Sequence, residues 1–247
     1  MLFAVWSGEI HRPTIDVDLL GYGKDSSERV ENIFREVCSV GVSEDGIAFD
    51  TESVQATPIR EGQSYHGQRV TLTARLGKAR IHVQVDIGFG DVVTPDAEQI
   101  EYPTLLELPA PRIKACPRET VVAEKLHAMV VLGIANSRMK DFYDMHVLSS
   151  RFDFAGATLV KAIQATFKRR KTEIPSEVPL ALSKEFAQDK TKVIQWKAFA
   201  KKSGLSSIDD LELTISEMRE FLLLPLKAAA GKDPVPNRWE AGGCWSG

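Results

Sequence analysis

VTLTARLGKARIHVQVDI, residues 70–87, decides the fold class. Val70, Leu72, Ala74 and Leu76 alternate with Thr71, Thr73 and Arg75; past Gly77-Lys78, Ile81, Val83, Val85 and Ile87 alternate with His82, Gln84 and Asp86. A two-residue period interrupted by a two-residue turn predicts an antiparallel hairpin with one apolar and one polar face. Working outward, residues 12–90 alternate strand-like and turn-like stretches around one helical pattern between Asp25 and Val40. There Val30, Ile33, Phe34, Val37 and Cys38 recur at three- and four-residue spacing on one face, and Ser26 or Ser27 is placed to cap.

From Thr94 to Pro117 five prolines, Pro95, Pro103, Pro109, Pro111 and Pro117, exclude long helices and mark a connector. Beyond it the pattern is helical over 118–133, 137–150, 155–170, 176–202 with a break, and 207–230. The expected organisation is α+β: a core over residues 1–110, a helical bundle over 111–231, and an irregular tail over 232–247 held by Trp239 and Trp245.

The composition excludes several classes. A hydrophobic share of 43% and a charged share of 26% suit a globular chain rather than a disordered or fibrous one. The longest apolar run, Ala128–Ala135, is far short of the roughly 18–20 residues of a membrane span. Met1–Trp6 is apolar but has no basic leader or small-residue cleavage site, so a cytoplasmic location is expected. Cys38, Cys116 and Cys244 are odd in number and widely spaced, which speaks against disulfides and structural zinc. The net charge of −3 gives no bulk attraction to nucleic acid.

The chemistry concentrates in Thr14–Leu20, TIDVDLL. On a strand Ile15, Val17 and Leu19 share one face and Asp16 and Asp18 the other. Two like charges on one strand face repel, and Asp is disfavoured in strands. Either Arg12 or Lys24 answers a solvated pair, or a cation sits between the carboxylates. The second strand repeats the arrangement and brings Asp86 to its polar face, which favours the cation. Three carboxylates suit Mg²⁺, a hard ion that takes oxygen ligands and substrate phosphates.

Four blocks then carry a resemblance: RPTIDVDLL at 12–20, VDIGFGD at 85–91, ETVVAEKLHA at 119–128 and RMKDFYD at 138–144. In that order they resemble the AbiEii toxin family of nucleotidyltransferases. The resemblance implies a polymerase-β-like nucleotidyltransferase mixed sheet with a flanking helix, followed by an α-helical bundle. It implies an NTP and Mg²⁺ as ligands, an RNA acceptor, tRNA in some members, and a cognate antitoxin in a toxin–antitoxin or phage-defence pair. Asp16, Asp18 and Asp86 match its metal ligands. Lys125 matches the lysine of its EKL-type block, a cation suited to triphosphate oxygens; the bland alternative is a surface lysine paired with Glu124 or Glu119. Arg138, Lys140 and Asp141 match its last charged block as nucleotide-binding and catalytic residues. Asp144, at ion-pair spacing from Lys140, reads as structural. The family's Gly-rich turn before the DxD strand has no counterpart at the expected distance, so an N-terminally short core is expected.

Other features are weaker. The five histidines form no ligand pair, and His127 reads as core or surface. Gly88-Phe89-Gly90 does not open a helix and reads as a strand exit. Lys168–Lys171 and Lys197–Lys202, with Trp196 and Phe199, offer either an RNA contact or a solvated face. The competing functions are a nucleotidyltransferase-like binding protein and an enzyme acting on a small molecule.

Overall fold

The computed structural model describes residues 2–8, 17–42, 45–59, 67–104, 107–205 and 210–246. Its chain divides into two compact units, residues 1–91 with 101–111 and residues 92–100 with 112–247. The first holds α1 (Leu2–Ser7), β1 (Val17–Gly21), α2 (Ser27–Ser39), β2 (Ile47–Ile59), β3 (Gly67–Leu76) and β4 (Ala79–Phe89). Its four strands form one sheet in the order β1-β4-β3-β2, with β1 parallel to β4 and the other neighbours antiparallel.

The hairpin forms as its alternation predicts. Gly77 takes φ 57°, which costs glycine nothing, and the turn sets Leu76 opposite Ala79. One face of the sheet then presents Val54, Ala56, Val70, Leu72, Val85 and Ile87, which pack with Val30 of α2 into the core of the unit. The helix is pinned at two points. Gln68, buried in β3, accepts from Ser27 Oγ at 2.9 Å and donates to the Asp25 carbonyl at 2.7 Å. Glu31 accepts the Ala56 N–H at 3.0 Å and pairs with Arg35 at 2.9 Å, next to the register shift between Asp50 and Gln55 in β2. The Ala56 bond is the main reason the Glu31 carboxyl lies below its ordinary range.

The apolar stripe of α2 is narrower than its spacing suggests. Val30 is buried and Phe34 and Cys38 are packed against the core, but Ile33 and Val37 are exposed. Ser26 is the N-cap, though its side chain makes no capping bond.

The connector carries two short strands, β5 (Glu98–Glu101) paired with β6 (Arg112–Ala115), and no long helix among its described residues. The second unit continues with α3 (Arg118–Leu132), α4 (Met139–Arg151), β7 (Phe154–Ala155), α5 (Gly156–Arg169), α6 (Lys184–Gln188), α7 (Lys190–Lys202), α8 (Leu211–Ala229), β8 (Arg238–Trp239) and β9 (Trp245–Ser246). The expected break within 176–202 falls at Asp189, whose carboxylate accepts the Lys192 N–H at 2.9 Å and so starts a new helix. Asp210 caps α8 in the same way through Leu213 at 2.8 Å. No described helix is long and apolar enough to cross a membrane.

The tail corrects the expectation of irregular structure: β8 and β9 form a three-stranded sheet with β7. Its anchors are the two indoles. Trp239, 3% exposed, donates from Nε1 to the Ser149 carbonyl at 2.7 Å, and Trp245 donates to the Phe221 carbonyl at 2.9 Å. A side chain at Gly156 would collide with the Pro236 backbone, so glycine is what lets the tail lie against α5. Replacing Trp239 with Ala removes a buried ring and strands a carbonyl, an expected loss of about 3–5 kcal/mol. Urea denaturation measures it, and a loss below about 1 kcal/mol would show the tail to be unimportant for stability.

Candidate functional site

The polar face of the first unit's sheet carries a row of side chains fixed by strand register. In parallel β1 and β4, Asp18 lies beside Asp86; in antiparallel β3 and β4, Asp86 lies opposite Arg69; and Arg69 lies opposite Thr57 of β2. Register neighbours share a face, so the two aspartates stand side by side, away from Val17, Val85 and Val70 on the core side. Asp18 is exposed. Asp86 is held in a two-point fork, Arg69 Nε to Oδ1 at 2.8 Å and Nη2 to Oδ2 at 2.7 Å. Asp16 lies outside the described residues.

Adjacent carboxylates on an accessible sheet face fit a hard divalent cation by donor chemistry: oxygen ligands, with room for water and substrate oxygens. Among the described residues no three His, Cys, Asp or Glu side chains converge. Arg69 is the member of this row that sequence reading overlooked. The signal was present, because counting seven residues back from Leu76 and seven forward from Ala79 sets Arg69 opposite Asp86.

In the second unit a buried ionic cluster joins α3 and α4. Lys125 Nζ lies 2.6 Å from Asp141 Oδ1 and 2.9 Å from Asp144 Oδ2, and Arg138 Nε lies 3.5 Å from Asp141 Oδ2. Three-residue spacing turns both aspartates toward α3. Burial opposes the ammonium charge, but the fields of Asp144 and Asp141 outweigh it and hold the Lys125 pKa above the ordinary lysine value. The bland alternative for Lys125, a surface lysine paired with Glu124 or Glu119, does not hold for Glu124, which bonds Arg170 at 2.7 Å. Asp144 pairs inward with Lys125, and the Lys140 side chain is exposed.

The start of α4 is fixed from beneath. The buried Asn136 accepts the Arg138 N–H through Oδ1 at 2.9 Å, and its carbonyl accepts from Lys192 Nζ at 3.0 Å. Lys192, 5% exposed, also lies 5.5 Å from the Phe186 ring. This turn sets the direction in which Arg138 and Asp141 leave the helix.

His127 is a core residue. Its Nε2 lies 2.9 Å from Thr172 Oγ1 and its ring meets Phe167 edge-on. In the basic clusters, Arg170 is committed to Glu124, while Lys168, Arg169, Lys171, Lys197, Lys201 and Lys202 are exposed. Trp196 is 2% exposed, so it offers no stacking platform to a nucleic acid base.

The mixed sheet with aspartates on neighbouring strands, continued by a helical unit, is a nucleotidyltransferase fold. It is similar to two crystal structures from Helicobacter pylori: JHP933 (TM-score 0.51, 15% identity, covering 94% of this chain and 81% of that one) and a protein provisionally assigned as a nucleotidyltransferase (0.50, 15%, 94% and 84%). The family follows from the sequence: residues 1–217 match the nucleotidyl transferase AbiEii toxin of type IV toxin–antitoxin systems, and the chain belongs to that family. No curated protein matches.

Burial, and after it the charge of Arg170, lowers the His127 pKa to about 4. An unfolded histidine titrates near 6.5, so between about pH 6.5 and 4 the unfolded chain binds a proton that the folded chain does not. Stability from this group is complete above pH 6.5 and is lost as pH falls, by about 2–3 kcal/mol between pH 7 and 4.5. Urea titrations at the two pH values should show this loss in wild type and its removal in His127→Gln; equal slopes would clear His127 of the effect.

Proposed function

We propose that this toxin transfers a nucleotide from an NTP to an RNA hydroxyl in a Mg²⁺-dependent reaction, working in the cytoplasm opposite a cognate antitoxin. The observation that carries the reading is the register pairing of Asp18 with Asp86 on the polar face of the sheet, in a chain of nucleotidyltransferase family.

Asp16 and Asp18, with Asp86 as a third oxygen donor, would hold the ion, which when bound supplies charge neutralisation for the phosphates and acidifies an attacking hydroxyl. Asp86, set beside Asp18 by backbone pairing, is placed to orient that hydroxyl or accept its proton. Positioning and electrostatic stabilisation supply most of the catalysis in phosphoryl transfer, so fixed carboxylates matter more than intrinsic reactivity.

In the helical unit the geometry divides the labour. The Lys125 ammonium is matched by two carboxylates and has no surplus charge for a triphosphate. Its role is to fix Asp141, which in turn meets Arg138. The exposed heads of Arg138 and Lys140 are the cations available to nucleotide phosphates.

Incubation with each labelled NTP and total RNA tests the reading. Transfer should require Mg²⁺, stop with EDTA, and fall about 100-fold or more in Asp18→Ala with the melting temperature preserved. Lys125→Met should lose activity and also stability by about 3–5 kcal/mol, because two buried carboxylates lose their partner. Labelling of RNA by Asp18→Ala at the wild-type rate would overturn the catalytic assignment in favour of a binding protein. Labelling of a small molecule instead of RNA would replace the acceptor.

A further inference from the structure

Among the described residues, Arg69 is forked onto Asp86, a candidate ion ligand. We propose that Arg69 is the internal counter-ion of the aspartate row, bound to Asp86 in the metal-free protein and transferred to the phosphates of the nucleotide when a divalent ion binds. The proposal rests on the metal reading given above and adds to it a competition between arginine and ion for one carboxylate.

Strand register leaves the backbone no freedom here, since Arg69 and Asp86 are direct partners in β3 and β4 and Asp18 is the next residue across. Any exchange must therefore happen in side chains. The two partners differ in exposure: the Arg69 side chain is 44% exposed and the Asp86 side chain 20%. The arginine is the partner more open to solvent. A divalent ion drawn to Asp18 and Asp86 would place two positive charges beside the guanidinium, which weakens the fork at the moment the ion arrives. A released guanidinium is still a planar donor, and a phosphate offers it the same two-oxygen geometry as the carboxylate it leaves. Arg69 would thus offset one carboxylate charge of the row without the ion and direct a phosphate ligand inward with it.

Charge and fork can be separated by substitution. Mn²⁺ binding to the full chain without nucleotide, read by electron paramagnetic resonance, should tighten about two- to fivefold in Arg69→Met, the scale expected when a partly exposed ion pair stops competing. Arg69→Lys keeps the charge and should bind Mn²⁺ as wild type does. Both variants lose the fork, so both should raise KM for the NTP more than they lower kcat. If Arg69→Met fails to fold, Arg69→Gln gives the same reading with a neutral polar side chain. Unchanged or weaker Mn²⁺ binding in the neutral variant would overturn the proposal and leave Arg69 as a structural clamp on Asp86. Asp18→Asn distinguishes the two readings: if it binds Mn²⁺ as well as wild type, the metal site itself is misassigned and the competition falls with it. If it binds poorly while Arg69→Met matches wild type, only the competition fails.

Discussion

The register of the β3–β4 hairpin is the constraint on which the first unit depends. A two-residue turn at Gly77-Lys78 fixes every cross-strand pair that follows, and a shift by one residue would move each side chain to the other face. With the observed register, Val70, Leu72, Val85 and Ile87 enter the core and Asp86 and Arg69 meet on the open face. Parallel addition of β1 then needs only to bury Val17 to bring Asp18 beside Asp86. One hydrophobic alternation therefore builds the core and aligns the charges.

The helical unit handles charge differently. Its aspartates are buried, and a buried carboxylate without a partner is costly, so Lys125 is required by Asp141 and Asp144 before any functional role is considered. Arg138 adds a second, longer contact. Below them Lys192 holds the Asn136 turn through the Asn136 carbonyl.

Much of this was legible in the sequence because it follows short-range periodicity. The hairpin, the helix after β1, the connector and the helical series all announce themselves through spacing and breakers. What escaped was decided by pairing across the chain. Arg69 gained its meaning from a residue 17 positions away, and reading the strand from Val70 left it just outside the counted segment. Lys140 and Asp144 have the spacing of a helical pair, yet a buried partner on α3 takes Asp144, and a desolvated contact outcompetes a solvated one. The tail failed for a similar reason: its strands are two residues long and exist because Trp239 and Trp245 find carbonyl partners near Phe221 and Ser149.

The two groups of aspartates are suited to different work by their surroundings. Asp18 stands on an accessible face, where a carboxylate stays hydrated and can exchange water for a cation or a substrate oxygen without rearranging the backbone. Asp141 and Asp144 are nearly sealed and already paired with the Lys125 ammonium, so they are poor sites for an exchanging ion. Under the proposed function, solvation therefore favours the sheet over the helices as the place for an exchanging ion. Arg69 belongs with the first group: its fork is short and well formed, but its exposure keeps the bond open to competition from solvent and ions.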